Sequence, residues 1–83
     1  MKFHKDDLDH IHSGDVFELN EKIIGAIQVY GCEPYYYYRG GIDLPKNKLV
    51  QFVKIDEDYA VIIYNGQHYK ILKRHLPKVR VEV

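Results

Sequence analysis

The feature that most constrains the fold is a pair of strand-like segments joined by Asn65-Gly66. Tyr59–Tyr64 is apolar and rich in β-branched residues, and Gln67–Leu72 follows immediately after the two linking residues. Asparagine and glycine both tolerate positive φ angles, and the type I′ turn that they form matches the twist of paired strands. The sequence therefore predicts a tight antiparallel hairpin over 59–72.

Strand patterns recur through the rest of the chain. Apolar and β-branched residues bounded by turn signals indicate further strands at 15–19, 22–30, 35–39, 48–55 and 78–83. Gly25 predicts a bulge within 22–30, and Gly40-Gly41 is expected to end 35–39, leaving 42–47 as a loop. The segment 73–76 is short and precedes a proline, which suits a single 3-10 turn.

Length and strand spacing together predict the architecture. Eighty-three residues suffice for one domain, and the lack of strand–helix–strand spacing argues against a parallel sheet. We predict an all-β domain, a small antiparallel barrel of five or six strands with one 3-10 turn. It occupies 15–83, after a short N-terminal extension, 1–14, whose apolar residues permit a short helix. The predicted core is Ile23, Ile27, Val29, Val50, Phe52, Tyr59, Val61, Ile63, Tyr69, Ile71 and Leu76.

Several short motifs carry a family resemblance. They are Ser13 to Leu19, Tyr30-Gly31-Cys32 ahead of Gly40-Gly41-Ile42, Lys48 to Val53, Asp58 to Val61, Asn65-Gly66-Gln67, Tyr69-Lys70-Ile71 and His75-Leu76. The pattern resembles the SH3-like barrels of bacteria and phages, in particular the small YorP-type proteins of Gram-positive bacteria and their phages. This resemblance implies an SH3-like barrel and a phage-encoded modulator of a host protein. The chain has no tryptophan, the residue that eukaryotic SH3 domains place in their proline-peptide groove.

A run of four tyrosines followed by Arg39 is the most unusual local feature. Tyrosine offers a large, rigid contact area with a polar end, and arginine stacks on aromatic rings or pairs with carboxylates. In a strand, alternate tyrosines point to opposite faces, so one pair can be core and the other exposed. The alternative is that all the rings cover a small barrel. The candidate partner-binding residues are Tyr35, Tyr36, Tyr37, Tyr38, Arg39, Lys46 and Lys48.

The charge balance favours a protein partner. The formal net charge is +0, so phosphate contacts would be few. We therefore predict a small non-enzymatic module for protein–protein interaction. One alternative is a small barrel that binds single-stranded nucleic acid by stacking bases on the tyrosines. Another is a structural or assembly protein in which Val79, Val81 and Val83 extend an edge strand into a neighbouring copy.

Metal binding, catalysis and membrane insertion receive little support from the sequence. His10-Ile11-His12 offers two possible zinc ligands, but only if the segment is a strand, and a polar N-terminus is the preferred interpretation. Cys32 lies in a turn without an adjacent base. We predict no metal, no cofactor and no enzymatic activity. The single cysteine, with no apolar stretch of bilayer length and no secretory signal, predicts a cytoplasmic protein.

Overall fold

The computed structural model describes residues 11–77 and 80–81. Within these residues the chain is all-β, with a single 3-10 turn at Lys73–His75. The strands are β1 (Val16–Glu18), β2 (Ile23–Cys32), β3 (Tyr35–Leu44), β4 (Leu49–Asp56), β5 (Tyr59–Tyr64), β6 (Gln67–Leu72) and β7 (Arg80–Val81). The proposed N-terminal helix, His10, and the outer residues of the predicted 78–83 strand lie outside the described residues.

The strands form one antiparallel sheet in the order β3-β2-β6-β5-β4-β1-β7. The prediction of an all-β, antiparallel domain is therefore confirmed. The described strands number seven, one for each strand pattern in the sequence rather than the five or six of the predicted barrel, and the short β7 pairs with β1. As far as the described strands show, the sheet is not closed, since β3 and β7 stand at its two ends. Among the described residues no helix has the length and apolar character to span a bilayer.

The predicted Asn65-Gly66 turn and the predicted bulge at Gly25 are confirmed, whereas Cys32, predicted to lie in a turn, is the last residue of β2. Asn65 and Gly66 have φ angles of 52° and 78°, the pair of positive values that a type I′ hairpin requires. Gly25 has a φ of 79° and lies where the β2–β3 register shifts between Ile23 and Ala26. The bulge adds one residue to β2, so the alternation of side chains shifts by one position there. Ile23 and Ala26, three residues apart, therefore both reach the core.

The predicted end of the tyrosine strand at Gly40-Gly41 is wrong. β3 continues to Leu44, so residues 42–44 of the predicted loop belong to the strand. Gly41 has a φ of 75°, and a second register shift between Ala26 and Gln28 absorbs one extra residue of β3 as a bulge. Strand pairing then resumes, because Leu44 is fully buried and lies opposite Ile23.

The core lies on one face of the sheet. Phe17, Leu19, Leu44 and Ile62 are among its most deeply buried side chains. Ile11 also packs into it. Of the predicted core, the buried members are Ile23, Val50, Phe52, Val61, Tyr69, Ile71 and Leu76. The other four, Ile27, Val29, Tyr59 and Ile63, are only half-buried, because the alternation of their strands directs them to the opposite face.

Candidate functional site

The long β2–β3 hairpin carries the tyrosine run, and all four rings are exposed. Their exposed fractions are 73% for Tyr35, 45% for Tyr36, 58% for Tyr37 and 58% for Tyr38. Neither alternate pair is therefore part of the core. Because residues opposite each other across antiparallel strands share a face, the register of β3 against β2 separates the rings into two pairs, with Tyr36 and Tyr38 on one side of the hairpin.

Tyr36 and Tyr38 face a groove of about 400 Å³ on the side of the sheet away from the core. Val61, buried in β5, lies in its floor. β3 and β4 both line the groove although three strands separate them in the sheet, so the sheet must curl around this face. The described lining residues are Val29, Gly31, Cys32, Glu33, Tyr36, Tyr38, Val53, Lys54, Asp56, Val61, His68 and Lys70.

Lys70 connects the aromatic wall of the groove to its acidic side. Its Nζ lies 5.3 Å from the centroid of the Tyr38 ring and 5.9 Å from that of Tyr59, within the range of cation–π attraction. The same Nζ lies 3.0 Å from Oδ2 of Asp56. The strand pairing that opposes Lys70 to Val61 places the aliphatic stem of the lysine over the apolar floor, and the charged end reaches across to the carboxylate.

The ion pair keeps both of its members charged. The hydrogen bond from Lys70 lowers the pKa of Asp56 below the ordinary aspartate value, with the positive charge of Lys70 as a further cause. The same hydrogen bond raises the pKa of Lys70, and partial burial opposes that rise. At neutral pH the groove therefore contains a fixed pair of opposite charges beside the Tyr38 ring.

The other side of the hairpin carries a separate aromatic surface. Tyr30 and Tyr37 lie opposite each other, and their rings stack with centroids 5.6 Å apart and an interplanar angle of 24°. Tyr35 and Arg39 lie on the same side by strand alternation. The predicted run of contact residues is thus divided between two surfaces of the hairpin.

Lys46 and Lys48 are not brought to the tyrosines. They are exposed in the connection between β3 and β4, beyond Leu44, whereas the tyrosines occupy the opposite end of β3. A strand advances about 3.3 Å per residue, so the two ends of the ten-residue β3 lie on the order of 30 Å apart along the chain. The predicted contact residues therefore do not assemble into one patch.

Cys32 and His68 both line the groove but do not form a nucleophile–base pair. His68 lies opposite Val29, and Cys32 is three residues further along β2, on the order of 10 Å away. Among residues 11–77 and 80–81 there is no group of three or more histidine, cysteine, aspartate or glutamate side chains placed to hold a metal ion.

Sequence reasoning missed Val61, Asp56 and Lys70 as components of the site. The predicted strand 48–55 stops before Asp56, whereas β4 includes it, and the contact of Asp56 with Lys70 joins residues on β4 and β6 that are not sequence neighbours. One local signal was available. Lys70 lies between apolar Tyr69 and Ile71, as a residue on the second face of a half-buried strand does.

A wider depression of about 750 Å³ lies between β1, the 3-10 turn and β7. Its described lining combines acidic Glu18 and Glu21 with basic Arg74 and Arg80, and it includes no tyrosine. The depression thus offers mixed charge without a large rigid anchor. The tyrosine groove is the stronger candidate site.

Comparison with known proteins identifies no relative: no family model, curated protein or solved structure matches this chain.

Proposed function

We propose that this protein is a small non-enzymatic module that binds another protein through the groove between the tyrosine hairpin and the outer face of β4–β6. The observation that carries the proposal is the exposure of Tyr36 and Tyr38 beside a floor formed by buried Val61. Exposed aromatic rings next to an apolar floor are the usual anchors of protein interfaces. The fixed Asp56–Lys70 pair would orient the bound segment by hydrogen bonding.

The charges that line the groove favour a protein partner over a nucleic acid. Its described lining carries two cations, Lys54 and Lys70, and two carboxylates, Glu33 and Asp56. Phosphate binding needs an excess of positive charge, and Lys70 is already paired with Asp56. Single-stranded nucleic acid remains the second candidate, because Lys70 lies near two tyrosine rings, a combination that suits base stacking.

We further propose that the sheet is a variant of the SH3-like barrel and that the protein is a YorP-type modulator of a host protein, acting in the cytoplasm. The barrel assignment is supported by the order of elements. β4, β5 and β6 form a meander, a 3-10 turn follows β6, and β7 returns to pair with β1. The YorP-type and cytoplasmic assignments rest on the sequence alone.

A displayed library of random peptides tests the binding groove. Peptides selected on the wild-type protein should bind Tyr36→Ala at least about 30-fold more weakly, the loss expected of an interface anchor worth about 2 kcal/mol. Tyr30→Ala is the matched control, because Tyr30 is 46% exposed against 45% for Tyr36 but lies on the other side of the hairpin. It should bind the same peptides with nearly unchanged affinity.

Two results would contradict the proposal. Equal losses in Tyr36→Ala and Tyr30→Ala would show that the selected peptides do not use the groove. Failure to select any peptide, together with binding of oligothymidylate whose affinity falls steeply with salt, would favour the nucleic-acid alternative.

A further inference from the structure

Within residues 11–77 and 80–81, no strand pairs with the outer edge of β3. β3 stands at one end of the sheet, is ten residues long, and is exposed over its first seven positions. Natural proteins blunt such edges with proline, lysine, bulges or very short strands. Between Tyr35 and Arg39 there is no proline, no lysine and no register shift. The opposite edge, β7, has only two described residues, one of them Arg80.

We propose that this edge pairs with the same edge of a second copy, so that two sheets join antiparallel about a two-fold axis at Tyr37. Strand addition of this kind satisfies the free backbone groups of both edges. The inference does not rest on the proposed groove function, although Tyr36 and Tyr38 line the groove and would also meet across the new strand pair. It concerns the edge of β3 rather than the face of the sheet.

The sequence of β3 selects the position of the axis. An axis at Tyr37 sets Tyr36 opposite Tyr38 of the second copy, and Tyr35 opposite its Arg39. These are aromatic and cation–π pairs, which stabilise antiparallel strands. An axis at Arg39 would instead oppose two cations. An axis at Tyr36 would pair only three residues of β3, because the strand begins at Tyr35. An axis at Tyr38 would set Tyr35 opposite Gly41, which lies in the bulge of β3.

The exposed rings along the edge supply apolar area for a weak dimer. A whole tyrosine side chain offers roughly 200 Å². At the exposed fractions of Tyr35, Tyr36, Tyr37 and Tyr38, the four rings provide on the order of 450 Å² per copy and about 900 Å² for two copies. The edge backbone and Arg39 add to this area. Complete burial of these rings would approach the roughly 1,000 Å² of a specific interface, and edge pairing covers part of it, so the dimer is expected only at high protein concentration.

Sedimentation equilibrium of the full chain, at concentrations up to about 1 mM, tests the pairing. The wild-type protein should approach twice its monomer mass. Tyr37→Lys and Tyr37→Glu should each remain monomeric over the same range, because the axis would oppose two like charges. An equimolar mixture of the two variants should dimerise again. This rescue is specific to a two-fold axis at position 37.

Ile24→Lys is the control for adding a charge to an exposed apolar position. Ile24 is 74% exposed and lies in β2, away from the free edge. This variant should dimerise like the wild type, and circular dichroism should show all four proteins folded. A wild-type protein that stays monomeric throughout, a dimer that survives Tyr37→Lys, or a mixture that fails to restore it would overturn the inference.

Discussion

Replacing Tyr38 with alanine should cost little stability and much binding, and the structure gives the expected size of each effect. Tyr38 is 58% exposed, so roughly two fifths of its area, about 80 Å², is withdrawn from water. At about 25 cal/mol per Å² the buried part contributes at most about 2 kcal/mol. Alanine retains some of this burial, and the expected loss is about 1 kcal/mol. Tm should then fall by roughly 4–8 °C.

Ile62→Val is the matched control for this stability loss. Ile62 is fully buried on the core side of β5, and removing one methylene from such a site costs about 0.5–1.5 kcal/mol. The two variants should therefore unfold at similar urea concentrations. Only Tyr38→Ala should lose affinity for the groove-selected peptides, by about 30-fold or more.

Urea unfolding followed by circular dichroism, with peptide affinity from fluorescence titration, separates the two effects. A stability loss above about 3 kcal/mol in Tyr38→Ala would be in the range of large core truncations and would assign the ring to the core. Equal losses of peptide affinity in Tyr38→Ala and Ile62→Val would show that binding follows global stability rather than the groove.

Two further predictions concern the fold. Gly66→Ala should destabilise the protein by roughly 1–2 kcal/mol in urea unfolding, because Gly66 has a φ of 78° with open space around an added Cβ. Gly40→Ala, also in open space but without a positive φ, should change stability by less than about 0.5 kcal/mol, and equal losses would refute this explanation. A hydrogen bond from the backbone N–H of His12, and to a lesser extent the hydrogen bond and positive charge of Arg80, lower the pKa of Asp15 below its ordinary value of 3.8. The resulting stabilisation is present above that value and lost as pH falls through the lower folded-state pKa. The difference in unfolding free energy between wild type and Asp15→Asn should therefore be constant near neutral pH and shrink below about pH 4, and a difference that grows on acidification would contradict this linkage.

Local features of the fold could be predicted from the sequence because their causes are local. Asn65-Gly66 specifies its turn through the φ angles that two residues tolerate, and Gly25 specifies its bulge in the same way. Gly40-Gly41 misled the prediction, because glycine is equally compatible with a strand end and with a bulge. The choice depends on burial of Leu44 against the core, which the local sequence does not encode.

The candidate site could be predicted only in part for a similar reason. Four consecutive tyrosines are visible in the sequence as a candidate contact surface. Strand alternation divides them into two pairs but does not show whether either pair is buried. β5 is apolar on both faces, so its sequence does not show which face packs against the core. Val61 was therefore predicted to be a core residue, although it forms the floor of the groove. The contact of Lys70 with Asp56 depends on how far the sheet curls, which is a property of all the strands together.

The two-sided burial of β5 has a consequence for how this protein can change its specificity. Ala60 and Ile62 are packed in the core, and Val61 between them forms the groove floor, so a new floor residue would also disturb the strand that holds the domain together. The aromatic wall is under no such constraint. We expect variants selected for new partners to differ mainly in Tyr36 and Tyr38 and to leave β5 unchanged.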